Sequence, residues 1–202
     1  EVLSPVNLCD STDAVQGIGN PYVPPSVGAV SLNLADDGVT TVNLSAPFPH
    51  PSGATSALEV CSNGFISVAP GNGTSYQPNP ANLRNRAFAS FNVWHDWALS
   101  PAANVWFEEV AGVAYFTWLN VPSYNGTVVG TVTSTFQMQF DLSTGSVDIV
   151  FLGMDNTSVS GWQAGDGYVV GYSPGGGAID PGSIDLSAAS TSCSWAWTTP
   201  AS

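Results

Sequence analysis

The stretch LEVCSNGFISV, residues 58–68, sets an Asn-Gly dipeptide between two apolar-rich segments. Asn-Gly supplies the positive φ angles of a tight hairpin turn, so residues 58–60 and 65–68 are predicted as strands flanking Asn63-Gly64. Downstream, FASFNVWHDWALSPAANVWFEEVAGVAYFTWLNV carries strand-like alternation on both sides of Trp94-His95-Asp96-Trp97. Residues 58–124 hold four of the seven tryptophans, both arginines and one of the two histidines. The Trp-His-Asp-Trp corner reads as exposed, and as the place to look for function.

Upstream, residues 27–34 and 39–44 alternate apolar and polar side chains about Asp36-Asp37-Gly38, which predicts a second hairpin. Residues 46–53, APFPHPSG, read as a proline-punctuated loop carrying His50, and residues 70–85 as a long Pro/Asn/Gly-rich loop, functional or mobile. Residues 105–110 and 113–120 form a hairpin about Ala111-Gly112, and residues 130–142 and 146–152 another about Ser143-Thr144-Gly145. Residues 167–172 make a further strand, 173–181 a glycine-proline loop, and 184–186 with 193–197 candidates to close a sheet. Residues 1–26, broken by Gly17, Gly19, Pro21, Pro24 and Pro25, read as an irregular surface wrap.

No segment shows apolar spacing of three and four residues, so little helix is expected. Short alternating strands separated by turn residues predict an all-β fold, a two-sheet antiparallel β-sandwich or jelly roll with long loops. One domain over residues 1–202 is expected, and no internal repeat suggests a propeller or solenoid.

Only 8% of residues are charged, there is no lysine, and the formal charge is -13 with a pI near 4.1. Such a surface repels phosphate backbones and anionic lipid, which makes nucleic acid and membrane surfaces poor candidates as partners. Solubility rests on Ser, Thr, Asn and Gly, and secretion is the simplest reading. No apolar run reaches the roughly 20 residues that span a bilayer, so no membrane insertion is expected. Glu1 begins without the basic and apolar regions of a signal peptide, so any leader is expected to be gone. Of three cysteines, Cys9 and Cys193 would staple the chain ends in a disulfide and leave Cys61 buried; three reduced thiols are the alternative.

Read in series, Ser62-Asn63-Gly64-Phe65, then Trp94 and Asp96, then Trp118, Asn120 and Val121, then Thr135-Phe136-Gln137 resemble the nidogen-type extracellular domain and related β-sandwich modules of secreted and surface proteins. The resemblance covers residues 58–172. It implies a non-catalytic extracellular module for adhesion, attachment or matrix assembly, with no catalytic residues to carry over. His95 departs from the pattern, standing where the family often has the first of two acids.

Three constellations could carry chemistry. Asp36 and Asp37 are most simply turn formers; a calcium site is the sharper reading, since that ion prefers carboxylate oxygens, and no other cofactor is implied. Trp94, His95, Asp96 and Trp97, with Trp162 and Asp166 in SGWQAGDG, are candidate ligand-binding residues, Trp97 and Trp162 offering flat indoles to an extracellular polysaccharide. Glu108 and Glu109 fit no motif, but paired carboxylates can drive acid hydrolysis; as strand neighbours they should face opposite ways. Gly171-Tyr172-Ser173-Pro174-Gly175 fits the G-x-S-x-G pattern of a hydrolase elbow, yet Pro174 lacks the N–H that would help form the oxyanion hole. Sequons begin at Asn43, Asn72, Asn125 and Asn156. The leading expectation is a secreted attachment module binding a surface protein, ahead of a carbohydrate-binding module and an acid hydrolase.

Overall fold

Two five-stranded antiparallel sheets make up the computed structural model, which describes residues 22–124, 129–155 and 168–178. The first sheet runs in the order β1 (Val30–Ser31), β6 (Val105–Val110), β7 (Val113–Tyr124), β8 (Val129–Asp141), β9 (Val147–Gly153). The second runs β10 (Val169–Ser173), β5 (Ser90–Trp94), β4 (Phe65–Ser67), β3 (Gly53–Cys61), β2 (Val39–His50). Each sheet is thus a meander of consecutive strands with one outsider: β1 joins the later meander and β10 the earlier one. The all-β sandwich predicted from alternation is the fold adopted. Among the described residues no helix is long and apolar enough to cross a membrane.

Alternation places the core. Ala114, Phe116 and Trp118 of β7 and Phe136, Met138 and Phe140 of β8 face Leu58, Val60, Ile66, Phe91 and Val93 of the second sheet, all buried. Aromatic edges lock the two sheets together: Phe140 meets Phe48 at 5.1 Å and Phe91 at 5.2 Å, both near perpendicular. The other face of the second sheet is also covered. Cys61, Phe65 and Trp94 form a smaller buried cluster with Leu83, which sits on α1 (Pro80–Arg84). Asn79 caps that helix by accepting from the Ala81 and Asn82 amides. The long loop 70–85 therefore includes a short helix whose Leu83 joins a second core layer.

Most turns follow their residues. Ala111 (φ 52) and Gly112 (φ 81) both take the left-handed region that a two-residue hairpin needs. The expected hairpin at Asp36-Asp37-Gly38 is not formed: β1 pairs with β6, β2 pairs with β3, and the turn crosses between sheets. Asp37 is left-handed there (φ 51), but it is the choice of partner strands that makes this a crossing turn. The expected loop at residues 46–53 is strand except for a two-residue turn at 51–52. β2 continues through Pro47 and Pro49 to His50, with a register shift between Asn43 and Phe48. As an edge strand, β2 can carry prolines whose missing N–H would break a central ladder.

Candidate functional site

Asn63-Gly64 joins β3 to β4 and organises one end of the sandwich. Gly64 has φ 79, and a β-carbon there would lie 2.1 Å from the Val93 carbonyl oxygen and 2.7 Å from Trp97 Nε1. The close approach lets the Gly64 carbonyl accept from the Val93 amide at 2.7 Å. Asn63 binds on three sides: its backbone carbonyl accepts from the His95 amide at 3.2 Å, its Oδ1 accepts from the Trp97 amide at 3.2 Å, and its Nδ2 donates to Asp37 Oδ1 at 2.7 Å and the Thr74 carbonyl at 3.1 Å. Ser62 and Gly38 exchange two further bonds, the Ser62 amide donating to the Gly38 carbonyl and the Gly38 amide to Ser62 Oγ. The crossing turn 35–38, the hairpin turn 62–64 and the corner 94–97 therefore meet.

Three carboxylates gather there. Asp36 and Asp37 are exposed, Asp96 is 6% exposed, and one oxygen from each lies within 4.8 Å of the others. Burial, and then the charges of Asp37 and Asp36, push the Asp96 carboxyl up to about 7. Burial and the charge of Asp37 also raise Asp36, against a backbone hydrogen bond from Asp37 that lowers it. An ion about 2.4 Å from each oxygen can bridge oxygens this far apart, and all-oxygen donors suit calcium or magnesium better than softer metals.

The corner is buried, which corrects the expectation that it is exposed. Trp94 (1%) and Trp97 (0%) lie in different clusters, Trp94 with Phe65 and Cys61, Trp97 in the inter-sheet core. Their N–H groups donate to the Ser75 and Val93 carbonyls, and Trp97 stacks on Tyr168 at 5.4 Å. An indole enclosed in this way has no free face for a sugar ring. His95 is buried against the rings of both Trp97 and Tyr168, at 4.8 and 4.7 Å. Asp96 instead reaches the acidic cluster. Trp162, Asp166, Cys9 and Cys193 lie outside the described residues. Cys61 is a free, buried thiol that burial pushes up to about 12.

The remaining candidates are held apart. Glu108 accepts from the Ser26 amide and hydroxyl, Glu109 from the Ser45 amide, so the two diverge as strand neighbours should. Ser173 is 2% exposed and its Oγ accepts from the Gly175 amide. Gly175, Gly176 and Gly177 all have positive φ, so a glycine turn follows Ser173 where an elbow would open a helix. A depression of about 480 Å³ lined by His50, Thr55, Val68, Phe88 and Pro174 shares no residue with the acidic cluster. It borders His50, whereas the cluster adjoins Val39, the other end of β2.

Two residues acquire roles that their types alone do not announce. Asn63 reads as a turn former and proves to be the joint between three segments. Arg86, 7% exposed, lies with its guanidinium 3.7 Å from the Phe65 ring centre and 4.3 Å from that of Trp94, while Nη1 donates to Asn92 and Ser90. Other motif residues are structural. Asn120 (φ 53) sits at a register shift in β7 and its amide donates to Thr135 Oγ1; Gln137 bonds both the amide and the carbonyl of Val23. Among known families, the model described as NIDO related matches residues 15–201 of the chain. No curated protein and no solved structure matches it.

Proposed function

Since the chain belongs to the NIDO-related family, we propose that it is an extracellular module that works by non-covalent attachment to a surface protein presenting basic groups. The observation that carries this reading is the charge balance, -13 with two arginines and no lysine. One of those arginines, Arg86, is buried, which leaves the accessible surface still more one-sided. A surface of one sign steers partners of the opposite sign and selects against like-charged ones. Edge strand β2 adds a polar row, exposing Thr41, Asn43 and Ser45.

Trp97 offers no face to a carbohydrate, because its indole is enclosed. Acid hydrolysis by Glu108 and Glu109 lacks a shared cleft, since the two carboxylates bind different segments. The test is saturable retention of the labelled chain on intact cells and extracellular matrix of the producing organism, measured across salt concentrations. Retention that is competed by unlabelled chain and weakens as salt screens charge supports the reading. Retention indifferent to salt, or none, overturns it.

A further inference from the structure

Asp96 poses a problem that hydrogen bonds do not solve. Asp96 as a residue is 6% exposed, no described residue donates to its carboxylate, and burial with the charges of Asp37 and Asp36 disfavours its ionised form. A buried carboxylate is costly unless something positive or hydrogen-bonding faces it. Neither arginine figures among the charges felt by Asp36 or Asp96, and Arg86 is committed to Phe65, Trp94, Asn92 and Ser90. Folding nonetheless brings two further carboxylates to within 4.8 Å of it.

We propose that Asp36, Asp37 and Asp96 bind one hard divalent cation of the calcium class, which ties the sheet-crossing turn to the segment leaving β5. The donors are all oxygen and carry three formal charges. Asp36 and Asp37 face solvent, so water can complete the larger coordination number that calcium favours. Asn63 is a positioning residue for the site: its Nδ2 fixes Asp37 Oδ1 from behind, while its Oδ1 holds the Trp97 amide one residue past Asp96. One amide side chain thereby sets both halves of the site. The inference goes beyond the attachment reading and does not depend on it.

The experiment is a calorimetric titration of the full, chelator-stripped chain with calcium chloride, paired with thermal melts in calcium and in chelator. Saturable binding of one ion per chain and a Tm higher by several degrees in calcium are expected. Asp96→Asn keeps the side chain's shape and should weaken binding at least tenfold while leaving the far-ultraviolet spectrum unchanged. Asp36→Asn, on the exposed turn, supplies a second variant that should weaken binding without disturbing the core. No saturable binding by the native chain overturns the proposal, as does unaltered affinity in both variants, or zinc binding in place of calcium. No attachment partner enters the titration, so its failure leaves the attachment reading standing, and failed retention on cells leaves this site standing.

Discussion

The Gly64 α-carbon and the Val93 carbonyl are so close that a β-carbon on Gly64 would come within 2.1 Å of that oxygen. The obstruction is backbone, which cannot rotate away, and φ 79 is itself unfavourable for any residue bearing a β-carbon. Gly64→Ala should therefore lower stability by about 3 kcal/mol or more, read as a shift of the urea midpoint. A loss under about 1 kcal/mol would mean that the turn is looser than described.

Asn63 offers a sharper contrast, because its two side-chain ends do different work. Asn63→Ala leaves the buried Trp97 amide and the Thr74 carbonyl without their partners, costing about 2–4 kcal/mol. Asn63→Asp keeps an acceptor for Trp97 but sets a carboxylate against Asp37 Oδ1. It should be less stable than the native chain at pH 8 and regain stability as the pH falls and carboxylates protonate. Urea midpoints for the two variants at pH 5 and pH 8 check this; equal losses at both pH values for Asn63→Asp would refute it.

Arg86 is held by two ring faces in place of a carboxylate. Burial lowers its guanidinium to about 10, which still leaves it charged at neutral pH. Lysine would keep the charge and lose the flat group that stacks between Phe65 and Trp94 while bonding Asn92. Arg86→Lys should cost about 2 kcal/mol and red-shift tryptophan emission as Trp94 loosens. A variant as stable as the native chain would show that the stacking contributes nothing.

The alkaline limb of stability should report Cys61. Its thiol is pushed from 9.0 to about 12 by burial, so between those values the unfolded chain gives up a proton that the folded chain keeps. Rising pH thus favours unfolding: stability is fully present below about pH 9 and declines from there toward pH 12. Tyr172, raised by burial from 10.0 to about 12, steepens the decline above pH 10. Denaturation midpoints from pH 8 to pH 11 should fall, and Cys61→Ala should flatten the fall between pH 9 and pH 10. Cys61 in the native chain should also resist iodoacetamide that labels it in the unfolded chain within minutes, as read by peptide mapping.

What could be read from the residues was local. The turns at Asn63-Gly64 and Ala111-Gly112 are announced by their glycines, Gly64 and Gly112 both taking the positive φ that glycine admits. Alternation named the inward faces of β7 and β8 for the same reason. Choice of partner was not local: the alternation of residues 27–34 shows which face is apolar and says nothing of which sheet that face joins. Prolines 47 and 49 resembled a loop because the edge position that admits them depends on strands elsewhere. The acidic cluster needs contact between residues about sixty positions apart, so Asp36 and Asp37 were visible as a pair while Asp96 was seen only as half of a corner. The burial of that corner follows from Asn63, whose carbonyl and Oδ1 draw the His95 and Trp97 amides inward.

The exchange of outer strands bears on how the chain reaches this structure. Strands β2 to β5 and β6 to β9 each assemble from neighbours in sequence, which is the rapid kind of pairing. Among the described strands β1 is made first and has no place until β6 exists, and the earlier meander keeps a bare β5 edge until β10 emerges. During synthesis the earlier meander therefore waits with its β5 flank uncovered, a period in which another copy of β5 could pair with it. Covering β5 falls to the final described strand, so a chain cut short of Val169 would carry both meanders and expose a central strand as a pairing edge to its neighbours.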